Sequence, residues 1–139
     1  MFELAITRDF NVSVEQLFNA WCKPELIQKW FAPGNMSVPE ATADVKDGGQ
    51  YKIVMHDADE GSNHIVGGEY HEVVENASLI FTWQWEGSPI ITKVAVSFKA
   101  LTNNTSELLL KHTEFADIEA RDKHEMGWNG CLKNLPKAL

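Results

Sequence analysis

The sequence predicts an α+β fold in which a meandering antiparallel sheet packs on one long C-terminal helix. Three observations carry that reading. Asp117 to Leu139 reads as a single helix with one apolar stripe, Met36 to Ala116 alternates strand patterns with tight turns, and two short amphipathic helices separate a first strand from that meander.

Taken in order, Phe2, Leu4 and Ile6 alternate with Glu3, Ala5 and Thr7, so Phe2 to Phe10 is a strand, expected at the outside of the sheet. Ser13 followed by Gln16 is a capping box for a helix whose apolar side is Val14, Leu17, Phe18 and Trp21. Lys23-Pro24 ends it. Pro24, at a first helical position, starts a second short helix through Leu26, Ile27 and Trp30, which stops before Pro33-Gly34.

The meander begins with a strand over Ser37 to Val45 and reverses at Asp47-Gly48-Gly49, where Asp and Gly accept the positive φ of tight turns. Tyr51, Ile53 and Met55 then alternate with Lys52, Val54 and His56. A polar loop from Asp57 to Asn63 leads into a strand over Ile65 to Glu75, and Asn76-Ala77-Ser78 turns the chain again. The next strand sets Leu79, Phe81, Trp83 and Trp85 on one face against Ile80, Thr82, Gln84 and Glu86 on the other. Gly87-Ser88-Pro89 turns into Ile90 to Leu101, with Thr92, Val94, Val96 and Phe98 on one side. Asn103-Asn104-Thr105 gives the last strand, Ser106 to Thr113, where Leu108, Leu110 and His112 share a face. Turns this short force consecutive strands to pair antiparallel.

In the C-terminal helix Asp117 is the N-cap. A 3.6-residue period places Ile118, Arg121, His124, Trp128, Cys131, Leu132 and Leu135 on one side. Arg121 and His124 interrupt that stripe, and Gly127 and Gly130 flank Trp128 in mid-helix. A helix-interior Gly costs roughly 1 kcal/mol relative to Ala, a cost explained if the helix lies close to the sheet. Polar groups beside an indole on a sheet-facing side point to a cavity.

A chain of 139 residues buries a core without disulfide or metal staples, so residues 1–139 are expected to form one domain. No apolar run approaches a membrane span, and Met1-Phe2-Glu3-Leu4 runs straight into the first strand without a basic leader, so a cytoplasmic location is expected. Cys22 and Cys131 stand far apart and read as unpaired thiols. A net charge of −8 disfavours nucleic acid and anionic membrane surfaces, which need a basic footprint. The chain carries no P-loop, no Gly-x-Gly-x-x-Gly, no Gly-x-Ser-x-Gly and no His-Glu-x-x-His, so no cofactor or catalytic metal is expected. The loop at Asp57 to Asn63 lacks the spacing of a calcium loop, and His56, His64 and His71 around it would gather an adventitious metal at most.

Ordered landmarks run the length of the chain: Ile6-Thr7-Arg8 with Phe10, Ala20-Trp21, Pro24-Glu25-Leu26, Trp30-Phe31-Ala32-Pro33 and Gly48-Gly49-Gln50-Tyr51. They continue with Gly68-Glu69-Tyr70-His71-Glu72-Val73, Leu79-Ile80-Phe81-Thr82-Trp83, His112 before Phe115, and His124 with Gly127-Trp128. In this the chain resembles the START-like, helix-grip superfamily, and within it the homologues of the heat-shock-protein-90 ATPase activator. The resemblance implies a curved sheet wrapped around the C-terminal helix, a cavity between them, a chaperone as a protein partner, and a monomer or a homodimer.

Strand parity and helix phase select the residues expected to line that cavity. From the sheet they are Tyr51, Ile53, Met55, Tyr70, Phe81, Trp83, Trp85, Val94, Val96, Leu108, Leu110 and His112; from the helix, Arg121, His124 and Trp128, with Trp30 and Phe31 closing one end. Arg121 is expected to pair with Glu72, Glu114 or another acid, or to reach water along the helix edge. His112 and His124 are expected to be structural, bonded to backbone or to Tyr70. The first functional reading is a binder of a small apolar or amphipathic molecule. The second is a co-chaperone-like interaction module, and the third an acid–base enzyme using the His and Glu set.

Overall fold

The computed structural model describes all residues, 1–139. Strand β1 (Phe2–Phe10) is followed by helices α1 (Val14–Cys22) and α2 (Pro24–Trp30). Then come β2 (Ser37–Ala43), β3 (Gln50–Asp57), β4 (Ser62–Val74), β5 (Ser78–Trp85), β6 (Thr92–Thr102), β7 (Thr105–Phe115) and helix α3 (Ile118–Asn134). The seven strands form one sheet in the order β1-β7-β6-β5-β4-β3-β2, antiparallel throughout. β1 lies at one edge, paired with β7 through Ile6 opposite Leu110.

Local chemistry sets the helix ends. Ser13 Oγ accepts the backbone N–H of Gln16 at 3.2 Å, and Asp117 Oδ1 accepts that of Glu119 at 2.7 Å. The C-terminal helix is not continuous to Leu139: it tightens into a 3₁₀ turn over Leu135–Ala138. Pro136 has no N–H to give to Leu132, so the α-helical ladder stops there. Strand boundaries shift in the same way. β4 begins at Ser62, which shortens the polar loop, and β6 begins at Thr92, which leaves Ile90 and Ile91 exposed in the loop before it.

The inner face of the sheet carries the core. Val66, Val94, Val96, Leu108 and Leu110 are fully buried, and α1 packs over β6 and β7. An aromatic cluster joins the three helices. Trp21 stacks on Trp128 at 5.9 Å between centroids, Phe31 meets Trp128 edge-on at 5.5 Å, and Trp30 donates its indole N–H to the Ala20 carbonyl at 2.8 Å.

The stripe of α3 is narrower than its sequence period. Trp128, Cys131 and Leu132 are buried, with Leu135 beyond them, whereas Ile118 is half exposed in the first turn. The two helix glycines do not bring α3 close to the sheet. A Cβ on Gly130 would come within 2.8 Å of Pro33 Cβ, so this glycine admits the turn after α2, which Asn134 Nδ2 also holds through the Ala32 and Gly34 carbonyls at 2.9 and 3.2 Å. A Cβ on Gly127 would meet nothing within 4 Å.

A candidate ligand cavity between the sheet and the last helix

Gly127 is also one of the residues that line a cavity of about 180 Å³. Met55 from β3, Trp83 and Trp85 from β5, and His124, Gly127, Trp128 and Cys131 from α3 line it, with Pro33 and Lys123 completing the lining. On α3, positions 124, 127, 128 and 131 follow the i, i+3, i+4, i+7 rule, so one helix face supplies four lining residues. On β3 and β5, Met55, Trp83 and Trp85 occupy inward positions.

Two imidazole–indole pairs organise the polar groups. Trp128 Nε1–H donates to His112 Nδ1 at 3.0 Å, so neutral His112 carries its proton on Nε2 and donates to Thr92 Oγ1 at 2.6 Å. The Thr92 hydroxyl in turn points to the Trp83 carbonyl at 3.4 Å. His112 is completely buried, and burial first, with His124 nearby second, lowers its pKa to about 3. It stays neutral at physiological pH.

The second pair sits at the cavity wall. Trp85 Nε1–H donates to His124 Nε2 at 3.0 Å, and His124 Nδ1 donates to the Ala120 carbonyl at 2.7 Å. Burial lowers the His124 pKa and the Ala120 carbonyl partly offsets it. The two imidazoles lie 5.2 Å apart, and the rings of Trp83 and Trp128 lie 5.1 Å apart.

Other groups near the cavity are occupied or masked. Lys123 Nζ pairs with Glu119 at 3.1 Å. Burial pushes the Cys131 thiol up to about 12, which keeps it protonated and unreactive. Trp83 Nε1–H has no partner and is sealed from solvent. The lining therefore offers apolar surface, a histidine whose two nitrogens are both engaged, and one indole with an unpaired N–H.

Of the residues expected from sequence, Met55, Trp83, Trp85, His124 and Trp128 line this cavity. His112 lies behind it, reached through Trp128. Tyr51, Tyr70 and Phe81 instead enclose, with Trp21, Phe31 and Leu79, a void of only about 10 Å³. Ile53, Val94, Val96, Leu108 and Leu110 are packed into the core and Trp30 into the helix cluster, because α1 and α2 fill the space above the sheet that parity alone leaves open.

Arg121 is not directed into the cavity. Its guanidinium bonds Asp122 at 2.8 Å and Glu125 at 2.8 Å, and its Nε donates to the Glu3 carbonyl at 2.9 Å. Neither Glu72 nor Glu114 is its partner; two acids on its own helix are closer along the chain, and Asp122 first, then Glu125, keeps it charged. The histidines bond to indoles and Thr92, with one backbone carbonyl, and not to Tyr70. Pro33, Lys123, Gly127 and Cys131 were not foreseen as lining. The mid-helix glycine was the available signal for Gly127, and its phase with His124 and Cys131 would have completed the face.

A curved antiparallel sheet that grips a C-terminal helix, with a cavity between the two, defines a START-like, helix-grip protein. The chain belongs to the family described as Activator of Hsp90 ATPase homolog 1-like protein, whose family model matches residues 11–139. Solved structures share the fold. The AHSA1 protein from Silicibacter pomeroyi is similar over 96% of this chain and 94% of that one, at 27% identity and a TM-score of 0.86. A protein from Nitrosomonas europaea is similar over 99% and 93%, at 23% identity and a TM-score of 0.83. One from Staphylococcus aureus is similar over 99% and 92%, at 22% identity and a TM-score of 0.80. No curated protein matches the chain. No helix is long and apolar enough to cross a membrane.

Proposed function

We propose that this protein binds a small apolar or amphipathic molecule in the cavity between β3, β5 and α3. One observation carries the reading: about 180 Å³ of space stays open beside Met55 and three indoles in a fold whose other inner-face positions are packed. Burial of apolar ligand surface, at roughly 25 cal/mol per Å², supplies the affinity. The volume limits the buried part of the ligand, since an apolar cavity of about 150 Å³ holds one benzene. A ring or a short branched group fits, and the remainder of a longer molecule extends past Lys123 into solvent.

The test uses methyl NMR of the protein labelled at methionine. Met55 is 4% exposed and lines the cavity, whereas Met126 and Met1 are 76% and 92% exposed. Benzene should shift the Met55 methyl in a saturable way and leave Met1 and Met126 in place. A Met55 signal that does not respond to saturating benzene overturns the reading. Native mass spectrometry of protein purified gently from its own cells then gives the mass of the natural ligand. Family membership favours a second reading, contact with a chaperone through the outer surface. It predicts that filling the cavity leaves partner binding unchanged.

A further inference from the structure

Gly127 is a glycine of α3 whose identity the packing of the fold does not require. Glycine weakens a helix interior relative to alanine, so an interior glycine needs a reason. Positive φ is not one, because the left-handed glycines of this chain are Gly34, Gly48, Gly61 and Gly87. Close packing is not one either, because a Cβ at Gly127 would have open space for 4 Å, whereas a Cβ at Gly130 would strike Pro33. What the missing side chain does is leave a strip of bare helix backbone in the wall of the cavity.

We propose that Gly127 sets the ligand's shape: the cavity takes a flat, uncharged ring system of one or two fused rings, which lies against the bare backbone at Gly127 and packs on the indoles opposite. This rests on the ligand-binding reading above and adds the ligand's class. Flatness follows from the indoles that bound the space, since a planar ring can lay its face or edge on them, and Gly127 adds room by leaving 4 Å free where a Cβ would stand. Ring character follows from Trp83, Trp85 and Trp128, whose faces and edges favour offset-stacked or edge-on aromatic contact. Neutrality follows from the polar inventory. The indole N–H groups of Trp85 and Trp128 and both nitrogens of His124 are already bonded, the free Trp83 N–H is a single uncharged donor, and Lys123 holds its ammonium in solvent beside Glu119. A buried charge would find no partner there.

The experiment compares three probes on the wild-type protein and on Gly127→Ala and Gly127→Leu, with the Met55 methyl as readout. Indole is planar, fused and neutral; 1-adamantanol is neutral and globular; octanoate is flexible and anionic. The wild type should bind indole at least tenfold more tightly than either of the others. Gly127→Ala should weaken indole severalfold and raise the midpoint of thermal unfolding, and Gly127→Leu should abolish binding while remaining folded. If benzene binds but indole has no advantage, or if Gly127→Ala leaves indole affinity unchanged, the shape assignment is overturned and the ligand-binding reading stands. A lower unfolding midpoint for Gly127→Ala would also overturn it, because the glycine would then serve packing. If benzene itself fails to bind, both readings fall.

Discussion

The inner face of this sheet is built differently at its two ends. On β6 and β7, against which α1 packs, Val94, Val96, Leu108 and Leu110 are sealed to zero exposure. At Met55 and Trp85 the cover is the glycine-bearing part of α3, and a cavity remains. The same alternation of side chains produces both regions. What differs is the second layer, because closed packing needs side chains from above as well as from below. The packed end holds the fold together, and the open end is free to hold something else.

Mutation should separate the two ends most clearly at Leu110. Leu110→Ala removes a fully buried side chain and should destabilise by about 2–5 kcal/mol in urea unfolding. Benzene affinity of the surviving folded protein, read at Met55, should be nearly unchanged. A large loss of affinity with little loss of stability would show that the two ends are not independent. Val96→Trp, which parity would choose for blocking a cavity, should overpack and unfold this end instead, because no space adjoins Val96.

Acid probes the boundary between the regions, where His112 stands behind the cavity wall. A histidine whose folded pKa is depressed binds fewer protons folded than unfolded. Its contribution is therefore complete above the unfolded value near 6.5 and is lost as pH falls toward the folded value of about 3. Stability should decline by about 1 kcal/mol per pH unit across that window from His112, with His124 adding in the same direction. Urea midpoints measured at intervals between pH 7 and 4 check this. A flat profile would mean that the imidazole–indole pairs accept a proton without cost.

His112→Leu sharpens the same point with a smaller effect. It keeps the volume but leaves the Trp128 N–H buried without an acceptor, which should cost about 1–3 kcal/mol. The acid dependence should flatten as well. A variant that loses stability but keeps the full acid slope would assign that slope to other groups.

Much of this architecture was legible in sequence, and the part that was not has a physical cause. Strand parity placed Met55, Trp83 and Trp85 inward, the capping box at Ser13 and the N-cap at Asp117 marked helix starts, and helix phase put His124 and Trp128 on the sheet side. Parity could not tell Val96 from Met55, since both point inward and only the placement of α1 decides which is covered. Arg121 was drawn to the cavity by phase, but a long side chain follows its charge, and Asp122 and Glu125 were within reach on the helix surface. Lys123 escapes the same phase argument, because position 123 falls off the stripe of His124 and Trp128, yet it borders the cavity beside His124.

The finest test of the contrast lies within one helix, at two glycines a single turn apart. Alanine gains helix propensity at both positions, by about 1 kcal/mol relative to glycine. At Gly127 that gain is unopposed, because the new methyl enters open space, so Gly127→Ala should raise urea stability by up to about 1 kcal/mol. At Gly130 the methyl comes within 2.8 Å of Pro33 Cβ, a ring atom that cannot rotate away, so either α3 or the Pro33-Gly34 turn must shift. Overpacking of this kind costs about 1–3 kcal/mol, enough to cancel the propensity gain and reverse its sign. Opposite signs in paired urea titrations would show that the two glycines serve different ends, one admitting a neighbouring turn and the other keeping space that the folded chain does not use. Equal gains at both would mean that the turn yields, and equal losses that the wall at Gly127 is closed in solution and the open end is as packed as the rest.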